Sequence, residues 1–143
     1  MWRIIFAAML AALSLAFLPA ATGAQAGIRV EVSRAGQTMD VIVDGEHLYT
    51  WPVSTGRPGW VTPPGVFHPQ FMAVRWYSRV FNNAPMPHSI FYDGPFAIHG
   101  TTDIARLGRP ASHGCIRLSP ADAAVLFELV GKEGTRNTTI VVQ

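Results

Sequence analysis

The stretch IRVEVSRAGQTMDVIVDGEHLYTWPV, residues 28–53, decides the fold. Apolar and polar residues alternate over 28–32, and this period of two is typical of a strand with one buried face. Residues 34–37 supply a turn, and a second strand is predicted over 39–43. Asp44-Gly45 predicts a tight hairpin, because both positions favour positive φ. Residues 47–53 then form a third strand, so the opening predicts an antiparallel meander.

The chain beyond this meander predicts more strands and a single helix. Residues 55–69 are rich in Gly and Pro and predict a loop with a short extended piece. Strands are predicted over 71–76, 89–92, 95–99 and 138–142, and a further loop over 82–87. Asp93-Gly94 is a second hairpin signal. We therefore expect a mostly β domain.

The helix is predicted over residues 119–130. Ser119 is a typical N-cap, Pro120 suits the first helical position, and an acid follows at Asp122. Apolar residues at 123, 126, 127 and 130 share one face. Gly131 is expected to end the helix.

The N-terminal 26 residues resemble a secretory signal peptide. Arg3 gives a positive start, residues 4–18 are apolar, and Ala24-Gln25-Ala26 fits a cleavage site, so Gly27 would begin the mature chain. The alternative is an uncleaved membrane anchor, but the apolar run is shorter than the roughly 20 residues that span a bilayer. We expect an exported protein of one domain, residues 27–143, with no membrane span after cleavage.

The charge pattern excludes several classes of partner. The formal charge is +2, and it falls to +1 without residues 1–26. No basic run predicts nucleic-acid binding, and no acidic tail predicts a basic partner.

Cys115 is the single cysteine of the chain, so it cannot form an internal disulfide. The thiolate is the reactive form of cysteine, and a nearby base or cation must favour it. His99 ends a predicted strand and His113 lies two residues before the cysteine, so either could supply the base. The backbone N–H groups of Gly114 and Cys115 could hold a developing oxyanion.

The motifs Ile98-His99-Gly100-Thr101 and Ser112-His113-Gly114-Cys115-Ile116-Arg117-Leu118 resemble the L,D-transpeptidase catalytic domain, the YkuD-like family. Thr62-Pro63-Pro64-Gly65, Pro85-Met86-Pro87 and residues 96–100 resemble it as well. The resemblance covers roughly residues 28–142. It implies a β-sandwich-like domain with a helix.

The resemblance also assigns roles to residues. Cys115 would be the nucleophile and His99 the general base, oriented by the carbonyl of Gly100. His113 would shape the turn and the oxyanion hole. Ser112 would stabilise the turn by its hydroxyl. Arg117 would support the site and contact a substrate carboxylate; an ion pair with an acid of the same domain is the alternative.

The implied substrates are the stem peptides of peptidoglycan, as donor and as acceptor, in the periplasm or cell wall. No cofactor or metal is implied, and we expect a monomer. Aromatic residues are expected to line a substrate groove under a flap. Trp76 and Tyr92 are the main candidates, with Tyr77 beside them, whereas Phe91 is expected to pack in the core.

Other functions stay open on the sequence. The same thioester chemistry with another acceptor gives an L,D-carboxypeptidase or an amidase that releases wall-attached protein. A non-catalytic wall-binding module and a papain-like hydrolase are further alternatives. His99, His113 and Cys115 could instead bind zinc, but a fourth ligand is not evident. His47, His68 and His88 are expected to be ordinary surface or loop residues.

Overall fold

The computed structural model describes residues 25–143. The predicted signal peptide lies outside the described residues except for Gln25 and Ala26, which are exposed. The strands are β1 (Ile28–Ser33), β2 (Thr38–Val43), β3 (Glu46–Pro52), β4 (Gly65–Phe67), β5 (Phe71–Ala73), β6 (Ser89–Asp93), β7 (Phe96–Gly100), β8 (Ile116–Leu118) and β9 (Thr138–Val142). The helix is α1 (Pro120–Glu133), and short 3-10 turns occupy Ile104–Arg106 and Thr135–Asn137.

The strands form two sheets. The first has the order β3-β2-β1-β9-β4 and the second the order β5-β6-β7-β8. The predicted meander is confirmed, since β1 pairs antiparallel with β2 and β2 with β3. Two pairings are parallel, β1 with β9 and β7 with β8. Neither pair is joined by a hairpin turn. The mostly β fold class with one main helix is confirmed.

One core joins the two sheets and the helix. The alternate residues Val30 and Val32 of β1 and Ile140 and Val142 of β9 are almost fully buried, as the period of two requires. Ile98 of β7 enters the same core. The helix packs mainly on β7 and also contacts β1, β6 and β8. The strand that carries His99 is therefore anchored to the core through Ile98 and covered by the helix.

The helix begins as predicted and ends later than predicted. The Ser119 hydroxyl accepts the Asp122 N–H at 3.1 Å, and Pro120 is the first helical residue. Gly131 lies inside the helix, so its predicted role as the stop is wrong. Gly134, with φ at 95°, takes that role, and its N–H donates to the Val130 carbonyl at 2.8 Å. A glycine inside a helix costs only about 1 kcal/mol, which the packing of α1 offsets.

Two other predicted bounds change. The strand predicted over 71–76 ends at Ala73 and continues as loop. The extended piece inside the 55–69 loop is β4, which pairs with β9 at the sheet edge. Within residues 25–143, no helix combines the length and the apolar character needed to cross a membrane.

Candidate active site

His99 and Cys115 face the same cavity because of the register between β7 and β8. Ile98 pairs with Ile116 and both are buried in the core, whereas His99 pairs with Arg117 on the opposite face of the sheet. Cys115 directly precedes β8, two residues before Arg117. His99, Cys115 and Arg117 accordingly line one cavity of about 200 Å³. The structure thus brings the predicted nucleophile, base and arginine together.

The cysteine turn is closed by Ser112. Its buried hydroxyl donates to the Cys115 carbonyl at 2.6 Å and accepts the Gly114 N–H at 3.0 Å. Gly114 has φ at 118°, and a Cβ there would lie 2.6 Å from a ring carbon of Phe96. No other residue fits that position without strain. Because the Gly114 N–H is engaged by Ser112, any oxyanion would have to share it.

The loop that joins β3 and β4 of the first sheet holds this turn in place; we call its residues 53–62 the strap. Ser54 and Arg117 exchange two backbone hydrogen bonds of 2.9 and 3.0 Å. The Thr55 carbonyl accepts the Ser112 N–H at 3.0 Å. The buried Thr62 hydroxyl donates to the Gly114 carbonyl at 2.8 Å. The backbone around the cysteine is therefore specified by the strap, not by β8 alone.

Gln37 braces the strap from the turn between β1 and β2. Its side chain is buried, and its amide donates to the Thr55 hydroxyl at 2.6 Å and accepts the Thr55 N–H at 2.9 Å. It also donates to the Arg34 carbonyl at 2.6 Å. A continuous set of hydrogen bonds therefore leads from Gln37 through Thr55 to Ser112. Sequence reasoning missed this role, because a glutamine in a polar turn is usually exposed.

His99 is held in one tautomer by Gly100. Its Nδ1 lies 2.7 Å from the Gly100 carbonyl oxygen, which only accepts, so Nδ1 carries the proton and Nε2 keeps a lone pair. The pKa of His99 is lowered to about 4, chiefly by burial; the Gly100 hydrogen bond opposes this shift and the positive charge of Arg117 adds to it. The ring is therefore neutral at neutral pH, as a general base must be.

Cys115 is partly buried and rests as a thiol. Burial raises its pKa, while a hydrogen bond from the Ala97 backbone and the charge of Arg117 act in the opposite direction. The thiol also donates a long contact of 3.8 Å to the Pro95 carbonyl. Neither member of the pair is ionised at rest, so the chemistry requires proton transfer within the cavity.

His113 lies between three other side chains. Its Nε2 accepts from the Arg57 guanidinium at 3.0 Å. Its ring stacks on Phe81, with centroids 4.1 Å apart and planes inclined by 5°, and meets the edge of Trp60 at 4.8 Å. Desolvation, then the charges of Arg57 and Arg117, lower its pKa. A histidine whose Nε2 is occupied in this way is poorly placed to act as the base, which favours His99.

Arg117 has a polar neighbour within the domain. Its Nη1 lies 4.0 Å from Asp103 Oδ2 and 3.4 Å from the Ala111 carbonyl oxygen. Asp103 also pairs with Arg106, whose Nε lies 2.5 Å from the same oxygen. The predicted ion pair with an acid thus exists but is long. Asp103 and Arg106 line the cavity too, and sequence reasoning did not single them out.

The aromatic predictions divide. Trp76 lines an apolar cavity of about 380 Å³ that reaches Cys115. Tyr92 lies in the main core with 1% exposure, so its predicted place in a groove is wrong. Phe91 is buried in a second apolar cluster with Met86 and Ala97, as expected of a core residue, and it also lines the same apolar cavity. The pleat explains why Phe91 lines the cavity and Tyr92 does not, because neighbouring residues of β6 point to opposite faces.

Phe81 is a site residue that sequence reasoning did not single out. It lies in the loop after Trp76 and lines three cavities whose linings also include Cys115. The loop therefore borders the space around the nucleophile. Tyr77, in the same loop, is exposed.

The other histidines lie outside these cavities. His47 contacts Asp40 at 3.0 Å on exposed β2–β3 surface, His68 bonds the Thr138 carbonyl at 2.8 Å, and His88 packs against Phe127. In the described part of the chain, no three His, Cys, Asp or Glu side chains are grouped so as to hold a metal ion.

Comparisons with known proteins identify the family and the fold of this chain. The family model YkuD, described as the L,D-transpeptidase catalytic domain, matches residues 27–142. No curated protein sequence matches the chain. An L,D-transpeptidase from Mycobacterium smegmatis superposes with a TM-score of 0.72 at 26% identity, over 82% of this chain and 59% of that one.

A second solved structure gives the same result. The L,D-transpeptidase (Yku) from Stackebrandtia nassauensis has a TM-score of 0.72 at 26% identity, over 90% of this chain and 60% of its own. This chain therefore spans about three fifths of the length of these neighbours.

Proposed function

Since the chain belongs to the YkuD family of L,D-transpeptidase catalytic domains, we propose that it is a peptidoglycan L,D-transpeptidase that works through a thioester on Cys115. The observation that carries this proposal is the shared cavity of Cys115 and His99, with the lone pair of His99 Nε2 left free by Gly100. A buried neutral base beside a thiol is the arrangement that cysteine acyl transfer needs.

The proposed reaction has two steps. Cys115 Sγ attacks the carbonyl at the L-centre of diaminopimelate in a tetrapeptide stem, while its proton passes to His99 Nε2. The tetrahedral intermediate then collapses, the peptide C–N bond breaks, and His99 returns the proton to the departing D-alanine amine. A side-chain amine of a second stem attacks the thioester carbonyl and loses a proton to His99. The C–S bond then breaks, the new amide bond remains, and His99 returns the proton to the sulfur, which restores the thiol.

The positive charges near Cys115 support the first step. Arg117 lowers the pKa of the thiol, and this partly offsets the effect of burial. The charge that develops on sulfur is thus met by a fixed guanidinium, which costs no reorganisation during the reaction. The Cys115 N–H is a candidate oxyanion donor, together with the Gly114 N–H, which the oxyanion would share with Ser112.

The acceptor decides among the alternatives. Water as acceptor would give an L,D-carboxypeptidase, and an amine on a wall-attached protein would give a releasing amidase. Two cavities of about 200 and 380 Å³ have Cys115 in their lining and offer room for both a donor and an acceptor. This favours transfer between two stems over simple hydrolysis.

We also propose that the protein is exported and acts in the periplasm or cell wall as a monomer. The substrate lies outside the cytoplasm, and the predicted cleavage site ends at Ala26. Gly27 is already part of the fold, because its N–H donates to Asp44 Oδ1 at 2.8 Å. Mass spectrometry of the secreted protein tests this cleavage, and an intact Met1 would contradict it.

The decisive experiment incubates the protein with purified tetrapeptide stems and follows the products by mass spectrometry. We expect a cross-linked dimer, loss of D-alanine and a trapped acyl adduct on Cys115. Cys115→Ala should reduce turnover by at least about 10³-fold, as expected for a lost nucleophile. Its melting curve should stay near that of the wild type. Trimmed monomer alone would indicate a carboxypeptidase, and unchanged turnover of Cys115→Ala would refute the mechanism.

A further inference from the structure

The cavity beside His99 carries a surplus of positive charge. We call Asp103, Arg106 and Arg117 the arginine corner. Asp103 Oδ2 lies 2.5 Å from Arg106 Nε and 4.0 Å from Arg117 Nη1, so one carboxylate holds two guanidinium groups. All three residues line the cavity that contains Cys115 and His99. Because His99 is neutral at neutral pH, the corner leaves one unbalanced cation next to the reacting atoms.

The proposed reaction places the departing residue next to this charge. His99 returns a proton to the departing amine, so the departing residue lies on the His99 side of Cys115. Arg117 is paired directly with His99 across β7 and β8, and Asp103 and Arg106 follow His99 in the same cavity. In an amino acid the carboxyl carbon is about 2.5 Å from the amine nitrogen. A guanidinium beside His99 is therefore well placed for that carboxylate.

We propose that the arginine corner binds the free α-carboxylate of the residue that is expelled, with Arg106 as a specificity-determining residue. The inference rests on the proposed function and deepens it. A planar guanidinium matches a carboxylate through two parallel hydrogen bonds. A stem whose scissile bond is its last peptide bond places a negatively charged carboxylate at the arginine corner. A longer stem, or a stem that ends in a carboxamide, does not.

Arg106 suits this role better than Arg117 alone. Its side chain is 52% exposed, so it can reorient toward an entering ligand, whereas Arg117 is 20% exposed and fixed by the Ala111 carbonyl. Arg109 offers a matched control, because it is an exposed arginine three residues away that does not line the cavity.

The test compares two synthetic tetrapeptide stems, one ending in the D-alanine carboxylate and one in its carboxamide. We expect the wild type to prefer the carboxylate by about 10-fold or more in kcat/KM, as for a hydrogen bond to a charged group. Arg106→Gln should reduce this preference toward unity, mainly by raising KM for the carboxylate. Arg106→Lys should retain part of it, and Arg109→Gln should behave as the wild type.

A second readout separates ligand binding from an effect on the thiol. The rate at which iodoacetamide alkylates Cys115 should be equal in the wild type, Arg106→Gln and Arg109→Gln. Equal turnover of both stems by the wild type, or an Arg106→Gln variant that loses alkylation rate and keeps its preference, would overturn the carboxylate site alone. Turnover of neither stem by the wild type would overturn the proposed function and this site with it.

Discussion

At the residue scale, the pair His99 and Cys115 is uncharged at rest because burial acts on both groups. Burial lowers the pKa of the imidazole to about 4 and raises the pKa of the thiol. The free energy that holds the ring neutral is therefore large, and it comes from the fold. Two consequences follow, one for stability and one for catalysis.

The first prediction concerns stability in acid. The unfolded imidazole binds a proton below its ordinary pKa of 6.5, whereas the folded one does so only below about 4. The unfolded state thus binds more protons between these values, and the free energy of unfolding should fall by about 3 kcal/mol from pH 6.5 to pH 4. Urea unfolding at several pH values measures this. His99→Gln should lose much less over the same range, and parallel curves would contradict the prediction.

The second prediction concerns activity. Catalysis needs His99 unprotonated, so the acidic limb of kcat/KM should lie near pH 4 rather than near 6.5. Stem turnover by the folded protein, measured between pH 4 and pH 8, checks it.

Arg117→Gln removes a cation that lowers the pKa of both groups, so the alkylation of Cys115 should shift to higher pH. An unshifted alkylation profile would show that Arg117 does not act on the thiol.

At the scale of elements, the strap explains how a loop of one sheet specifies a turn of the other. Thr62 has both of its hydroxyl functions in use, since Oγ1 accepts the Gly56 N–H at 2.9 Å and donates to the Gly114 carbonyl at 2.8 Å. It is also buried. The turn before Cys115 therefore depends on a side chain more than fifty positions earlier.

Replacing Thr62 with Val should remove both hydrogen bonds and leave the buried Gly114 carbonyl and the partly buried Gly56 N–H without this partner. We expect a loss of about 1–3 kcal/mol in unfolding free energy. We also expect kcat to change by a larger factor than KM. Thr62→Ser should restore most of both. Thr139→Val, on the less buried face of β9, is the control for a Thr-to-Val change in general. Full turnover in a stable Thr62→Val variant would show that the strap does not position the turn.

The elements that depend on local patterns were predictable, and those that depend on distant contacts were not. The alternation in β1 and the Ser119-Pro120 cap are local, and both predictions are confirmed. The parallel pairing of β7 with β8 and the contacts of Gln37 depend on residues far apart in sequence. Tyr92 was misplaced because β6 is buried on both faces and has an irregular register between Phe91 and Asp93, so its sequence does not indicate which face meets the cavity.

At the scale of the whole molecule, the site depends on a core that lies away from it. Ile140 of β9 has 1% exposure in the core that both sheets share. Ile140→Ala should lower the free energy of unfolding by about 2–5 kcal/mol, whereas Val141→Ala, on the other face, should lower it by much less. Thermal melts followed by circular dichroism and by Cys115 reactivity should coincide, because one core melts as a unit. Separate transitions would contradict a single cooperative domain.

The parallel pairing of β1 with β9 affects how the protein is made. Ile28 lies opposite Thr138, about 110 residues later. During synthesis the β1–β2 hairpin leaves the ribosome long before its second neighbour exists, with the apolar faces of Val30 and Val32 uncovered. Contacts between such distant segments form slowly, and strand edges left open in the meantime invite aggregation. We expect the unfolded chain to depend on chaperones until β9 has paired with β1.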